Sequence, residues 1–312
     1  MEYERSDWHL TPKNARCMAE KIKQVRVLST LAEQEINLTG GEATQNPEIV
    51  EIYKIFSEVT PNVCLHTNLD INLEKSKRWQ RLMEIMELSG RIDITLYPTA
   101  WEKSQKPFLE KILKRQKYML VNIVFESIPD LKNQVEILAD FFANRGEHYN
   151  GAVNLLEKYR EKVNALAENH PECDENFYNR FMGNMEAFGV SENFTLGINL
   201  LPGFKVDDQG RRDMTSLPFA KDLYLLKCVA ARGSIETMTV QQNGNMTPCC
   251  DVGNLKCLPN FGNLLLDSAE EIENKFEASR LTIASGIAKN EANLKNSRIG
   301  QWEEEGIPPY CV

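Results

Sequence analysis

INLTGGEATQNPEIVEIYKIF, residues 36–56, holds one complete structural unit. The apolar run Ile36 to Thr39 reads as a strand and ends against Gly40, Gly41 and Glu42. Past Asn46 and Pro47, the side chains Val50, Ile52, Tyr53, Ile55 and Phe56 recur at the spacing of a helix with one buried face. The unit repeats. Short apolar runs return at Val63 to Thr67, Ile92 to Leu96 and Leu120 to Phe125, and each is followed by helical periodicity. The following helices are marked by Trp79, Leu82, Met83, Ile85 and Met86, by Phe108, Leu109, Ile112 and Leu113, and by Leu131 to Phe142. Strand and helix alternating at an interval of about 30 residues predict right-handed βαβ units on a parallel sheet. The residues alone leave open whether that sheet is doubly wound or a partial barrel. In both cases ligands gather at the carboxyl ends of the strands.

The chain has 312 residues, 42% of them hydrophobic, enough for one large core with a small appendage. A net charge of −9, with no basic stripe interleaved with aromatics, argues against nucleic acid as a partner. No apolar run approaches the roughly 20 residues of a membrane span, and the polar start MEYERSDWHL lacks a signal-peptide core, so a cytoplasmic protein without a membrane partner is expected. In that compartment eight cysteines are thiols or metal ligands rather than disulfides.

Beyond Phe142 the period breaks. Residues 149–190 read as two added helices, NLLEKYREKVNALAENH and NFYNRFMGNMEAF, and FTLGINLLPGF at 194–204 as a further strand. From Ser216 the texture changes: IETMTVQQNGNMTPCC alternates around Asn243-Gly244, a hairpin signal. DSAEEIENKF then forms a helix capped by Asp267 or Ser268, with acidic residues in its first turn. The boundary falls near residue 215: 1–215 with a helical insertion at about 146–190, and 216–312 as an extension.

Gly40 and Gly41 lack Cβ atoms at the ligand-bearing end of the first strand of this repeat, so a ligand can approach the backbone, and Glu42 would present a carboxylate to an ammonium group. The alternative is a tight turn into a helix capped by Asn46 with Pro47 at its first position.

LTGGE at one strand end and HTNLD one unit later resemble the core of radical S-adenosylmethionine enzymes. That resemblance implies a partial (β/α)6, TIM-like barrel, here lacking its first strand, with a small Cys-containing hairpin and helix at the C-terminus. It implies that Gly40, Gly41 and Glu42 hold the cofactor's amino group, with Thr67 and Asn68 on the rim. Cys228, Gly244 and Cys249, spaced CxnGxxxxC, resemble the opening of the SPASM or twitch extension of such enzymes. Cys228, Cys249 and Cys311 are thereby implied as ligands of an iron-sulfur (4Fe-4S) cluster, with Cys250 and Cys257 as further candidates. The implied chemistry is hydrogen abstraction by a 5′-deoxyadenosyl radical on a peptide or protein substrate, in an oxidoreductase or maturase.

The family's CxxxCxxC motif is absent from the sequence, and the resemblance implies that the chain opens just past the place where that motif falls. The chain is therefore expected to be cut short before the cluster loop, and no catalytic residue is assigned. Two other readings stand: a barrel that binds without catalysing, and an unrelated α/β protein with a structural zinc hairpin. Leu69 occupies the position of the family's glycine after TN. His66, beside Thr67, is the histidine nearest the expected site, and none of the four has ligand spacing. Cys17, Cys64 and Cys173 are expected to pack in the core.

Overall fold

The computed structural model describes residues 9–40, 42–69, 76–88, 91–113, 118–125, 128–169, 186–191, 194–202, 238–247 and 261–279. Among these, 9–64 with 238–279 form one compact unit and 65–202 a second, the division falling inside a strand.

In the first unit, α1 (Pro12–Gln24) begins where the Thr11 hydroxyl accepts the Asn14 N–H, with Pro12 at the first helical position. It buries Ala15, Met18, Ala19 and Ile22, a stripe spaced i, i+3, i+4, i+7. Val25 turns extended and ends it, its N–H donating to the Lys21 carbonyl. The chain then restarts as α2 (Arg26–Gln34), which has no side-chain cap of its own; the Arg26 N–H donates instead to Glu273 at 3.1 Å. After β1 (Ile36–Leu38), α3 (Ile49–Ser57) buries six side chains, Ile49, Val50, Ile52, Tyr53, Ile55 and Phe56. Each contributes about 1.5–3 kcal/mol as an upper bound. The Tyr53 hydroxyl, carried into this core, donates to the Val63 carbonyl.

The expected hairpin is present. β7 (Thr239–Val240) and β8 (Met246–Thr247) pair antiparallel, Thr239 with Thr247, around Gly244 at φ +88°. A helix over 269–279, α9, follows, and its Ile272 and Phe276 are buried, as are Met246, Phe261 and Leu264. The Phe261 and Phe276 rings meet edge to face at 5.1 Å.

The fold is α/β, with five parallel strands flanked by helices. The remaining elements are β2 (Val63–Thr67), α4 (Lys77–Glu87), β3 (Arg91–Leu96), α5 (Pro98–Ala100), a π turn over Trp101–Gln105, α6 (Lys106–Ile112), β4 (Tyr118–Phe125), α7 (Ile128–Ala143), α8 (Asn150–Asn169), β5 (Glu186–Ser191) and β6 (Phe194–Pro202). The strand order is β1-β2-β3-β4-β6-β5. β3 runs parallel to β4, Ile94 opposite Val121, and β4 parallel to β6, Val121 opposite Ile198; β5 is an antiparallel edge on β6. β1 to β4 and β6 lie where the apolar runs put them.

One expectation fails. The second added helix, at NFYNRFMGNMEAF, falls partly on 170–185, outside the described residues, and its last residues, Glu186 to Phe188, belong to β5. Pairing with β6, from Glu186 opposite Asn199 to Ser191 opposite Phe194, outweighs the local helical pattern.

The two faces of the sheet differ in chemistry. In β3 and β4, Ile92, Ile94, Leu96, Met119, Val121 and Ile123 alternate along one face and are fully buried. The other face carries Arg91, Asp93 and Thr95 on β3, and Tyr118, Leu120 and Asn122 opposite them on β4. A parallel sheet covered by helices on both faces reads as continuous apolar runs. This one alternates.

Candidate functional site

The β1 turn combines two roles. Gly40 stands at φ +108°, and a Cβ built on it meets nothing within 4 Å among the described residues, so these leave the backbone open to approach. Gly41 lies outside the described residues. Glu42 is extended, and its Oε1 accepts both the N–H of Thr44 at 3.1 Å and the Thr44 hydroxyl, capping a one-turn 3-10 helix over Ala43–Gln45. Thr44 is fully buried, which fixes the carboxylate. Asn46 does not cap α3, contrary to the alternative reading of this turn. Its Oδ1 accepts the Glu48 N–H and its amide donates to the Leu10 carbonyl, so α3 starts at Ile49.

At the end of β2, the Thr67 hydroxyl accepts the Leu69 N–H at 3.0 Å, and Leu69 adopts φ +51°. Where the resembled family has glycine, the backbone is in a glycine conformation with a leucine side chain, which is 1% exposed. Gln105, fully buried in the π turn, binds this corner together. Its amide donates to the Asn68 carbonyl at 2.8 Å and the Thr95 carbonyl at 2.7 Å, and its Oε1 accepts the Tyr97 N–H at 3.1 Å. The carboxyl ends of β2 and β3 are thus joined through one side chain. Sequence reading passed over Gln105 because nothing local distinguishes it from a surface helix residue.

A charged cluster lies on the polar face. Asp93, with no exposed side-chain surface, accepts Nε and Nη2 of Arg91 and the Leu120 N–H. The Arg91 guanidinium lies 4.2 Å from the centre of the Tyr118 ring, and Nε2 of His66 is 3.8 Å from Oδ2 of Asp93. Cys64 belongs with them: one ligand atom from each of Cys64, His66 and Asp93 lies within 4.8 Å of the others. The signal was present as Cys-x-His on a strand, since residues two apart share a face. His66 therefore does have a spaced partner.

Cys228, Cys249 and Cys311, and the further candidates Cys250 and Cys257, lie outside the described residues, as does Cys173. Cys17 is exposed rather than in the core, because it falls off the buried stripe of α1. Cys64 is fully buried. No helix among the described residues is long and apolar enough to cross a membrane.

The sequence matches no protein-family model and no curated protein.

Proposed function

We propose that this chain binds S-adenosylmethionine at the β1 turn and belongs to a radical S-adenosylmethionine enzyme, an oxidoreductase or maturase, whose substrate is a peptide or protein. The observation that carries the reading is the β1 turn: Gly40 at φ +108°, with no described residue within 4 Å of where a Cβ would stand, next to a carboxylate whose geometry Thr44 fixes through Oε1. An ammonium group with its α-carbon fits such a place, because the absent Cβ allows contact with the backbone and the carboxylate supplies a charge-assisted hydrogen bond.

The alternation of polar and apolar residues across β3 and β4 supports a partial barrel, in which helices cover the apolar face and the polar face lines the interior. Gly40 and Glu42 would hold the amino group. When bound with a reduced iron-sulfur cluster, the cofactor supplies hydrogen-abstraction chemistry; this chain's residues bind and orient it.

Binding, rather than turnover, is the right test, since CxxxCxxC is absent from the sequence. In equilibrium dialysis with radiolabelled S-adenosylmethionine, the chain should bind saturably, and Glu42→Gln should weaken binding by roughly 10- to 100-fold, the worth of a charged hydrogen bond. Glutamine keeps an acceptor for Thr44, so the turn survives the change. Absence of saturable binding, or equal affinity in Glu42→Gln, overturns the proposal.

A further inference from the structure

We propose that Cys64, His66 and Asp93 form a mononuclear zinc site with one open coordination position on the polar face of the sheet. It stands independently of the cofactor reading.

The geometry is set by short-range constraints. Cys64 and His66 are two residues apart on β2 and project from the same face; His66 and Asp93 lie in the same compact unit. Their ligand atoms are mutually within 4.8 Å, and the His66 Nε2 to Asp93 Oδ2 distance is 3.8 Å. Zinc bonds of about 2.0–2.3 Å in tetrahedral array require ligand atoms about 3.4–3.6 Å apart. For the His66–Asp93 pair, closing from 3.8 Å is a shift of a few tenths of an ångström, within reach of an imidazole whose side chain is 24% exposed; pairs nearer the 4.8 Å bound need a shift of about 1 Å, which a rotation of the Cys64 or His66 side chain supplies.

The donor set selects the metal. A thiolate, an imidazole and one carboxylate oxygen suit zinc, whereas magnesium and calcium require oxygen ligands throughout. Three protein ligands leave the fourth position for water or a ligand; Cys64 and Asp93 are fully buried, and His66 is the ligand with exposed side-chain surface.

Arg91 is the obvious objection, because its guanidinium already holds Asp93. It contacts Oδ1 through Nε and Oδ2 through Nη2, and the Leu120 N–H also falls on Oδ1. Oδ2, the oxygen facing His66, thus carries the lighter load and has a lone pair directed away from the guanidinium. Arg91 then acts as the outer partner that orients a metal-bound carboxylate. With zinc bound, the two anionic ligands and Arg91 leave a single net positive charge, which favours hydroxide or a carboxylate at the open position.

The test uses the full chain, stripped with a chelator and titrated anaerobically with Co2+ and then Zn2+. Because other cysteines also bind metal, the reference is Cys228→Ser/Cys249→Ser. In that background one equivalent of Co2+ should give a thiolate-to-cobalt charge-transfer band and tetrahedral d–d bands, displaced by Zn2+. Adding Cys64→Ser should abolish the charge-transfer band. Adding His66→Gln should weaken Zn2+ binding by more than the roughly 10- to 100-fold cost of losing an outer partner, with far-ultraviolet circular dichroism unchanged. No cobalt spectrum in the reference protein, or an identical spectrum and affinity after Cys64→Ser and His66→Gln, overturns the proposal.

Discussion

Arg91 and Asp93, two residues apart on β3, form a bidentate ion pair, Nε to Oδ1 at 3.1 Å and Nη2 to Oδ2 at 2.9 Å. The pair is asymmetric in burial. Asp93 has no side-chain exposure, whereas 30% of the Arg91 side chain reaches solvent. The carboxylate therefore depends on the guanidinium, with the Leu120 N–H, to replace the solvation that folding removes, while the guanidinium keeps part of its own.

Removing the cation alone should accordingly be costly. In metal-free protein, Arg91→Met is expected to lower unfolding stability by about 2–4 kcal/mol, at or just below the range for breaking a buried pair because Arg91 is partly solvated. Urea denaturation measures this. The double variant Arg91→Met/Asp93→Asn should recover part of the loss, since the uncompensated charge is then gone. A loss under about 0.5 kcal/mol for Arg91→Met would mean that water reaches Asp93.

Two glycines with similar backbone angles should respond differently to alanine. Gly40 at φ +108° has no described residue within 4 Å of where a Cβ would go, so Gly40→Ala should incur only the backbone penalty of about 1–2 kcal/mol. At Gly244, φ +88°, the new Cβ would lie 2.4 Å from the Asn263 Oδ1 and 2.9 Å from the Leu265 Cγ. That Oδ1 cannot move cheaply: it accepts the N–H groups of Leu265 and Leu266, while the same side chain donates to the Asn243 carbonyl and to Asn245. Gly244→Ala should therefore cost about 2 kcal/mol more than Gly40→Ala, from steric displacement and broken hydrogen bonds. Comparing urea midpoints at a common slope decides it.

The same contrast shows what a sequence discloses. Asn243-Gly244 announced its hairpin because turn chemistry is local, and Ser268 announced its helix for the same reason. The parallel strands were legible because their apolar runs recur with the helices. Asn263 was not legible, since its partners at Asn243 and Asn245 are about 20 residues away, and neither was Glu273, which caps α2 rather than its own helix. β5 was misread because its edge pairing is tertiary. At Leu69, the departure from glycine weakened the expected corner in sequence, yet the backbone adopts φ +51° there. Burial of the side chain, worth about 1.5–3 kcal/mol, exceeds the 1–2 kcal/mol penalty of that conformation. The charged cluster on β2 and β3 was hidden because a Cys, a His and an Asp in two different apolar runs each look like an isolated polar interruption.

The start of α9 should make the first unit acid-sensitive. Ser268 and Glu271 form a reciprocal capping box: the Ser268 N–H donates to Glu271 at 2.7 Å, and the Glu271 N–H donates to the Ser268 hydroxyl at 3.2 Å. The bond from the Ser268 backbone, with that of its side chain, holds the Glu271 carboxyl below its ordinary value of 4.5. The hydrogen bond from Lys275 chiefly, aided by the Asn263 N–H and opposed by burial, holds Asp267 below 3.8. Both folded-state values are depressed, so the folded state binds protons less readily than the unfolded one. The stabilisation is complete above the unfolded values and is lost as pH falls through them toward the lower folded values. Urea midpoints followed from neutral pH to below 3.8 should drop over that window. Lys275→Met should flatten the drop by raising Asp267 toward its ordinary value. Ser268→Ala keeps the backbone N–H that is the larger cause at Glu271 and removes only the hydroxyl, so it should flatten the Glu271 part to a smaller degree while costing about 1 kcal/mol at neutral pH as a lost cap. If both variants keep the full acid dependence of the parent chain, its source lies in carboxylates elsewhere and the α9 cap makes no measurable contribution.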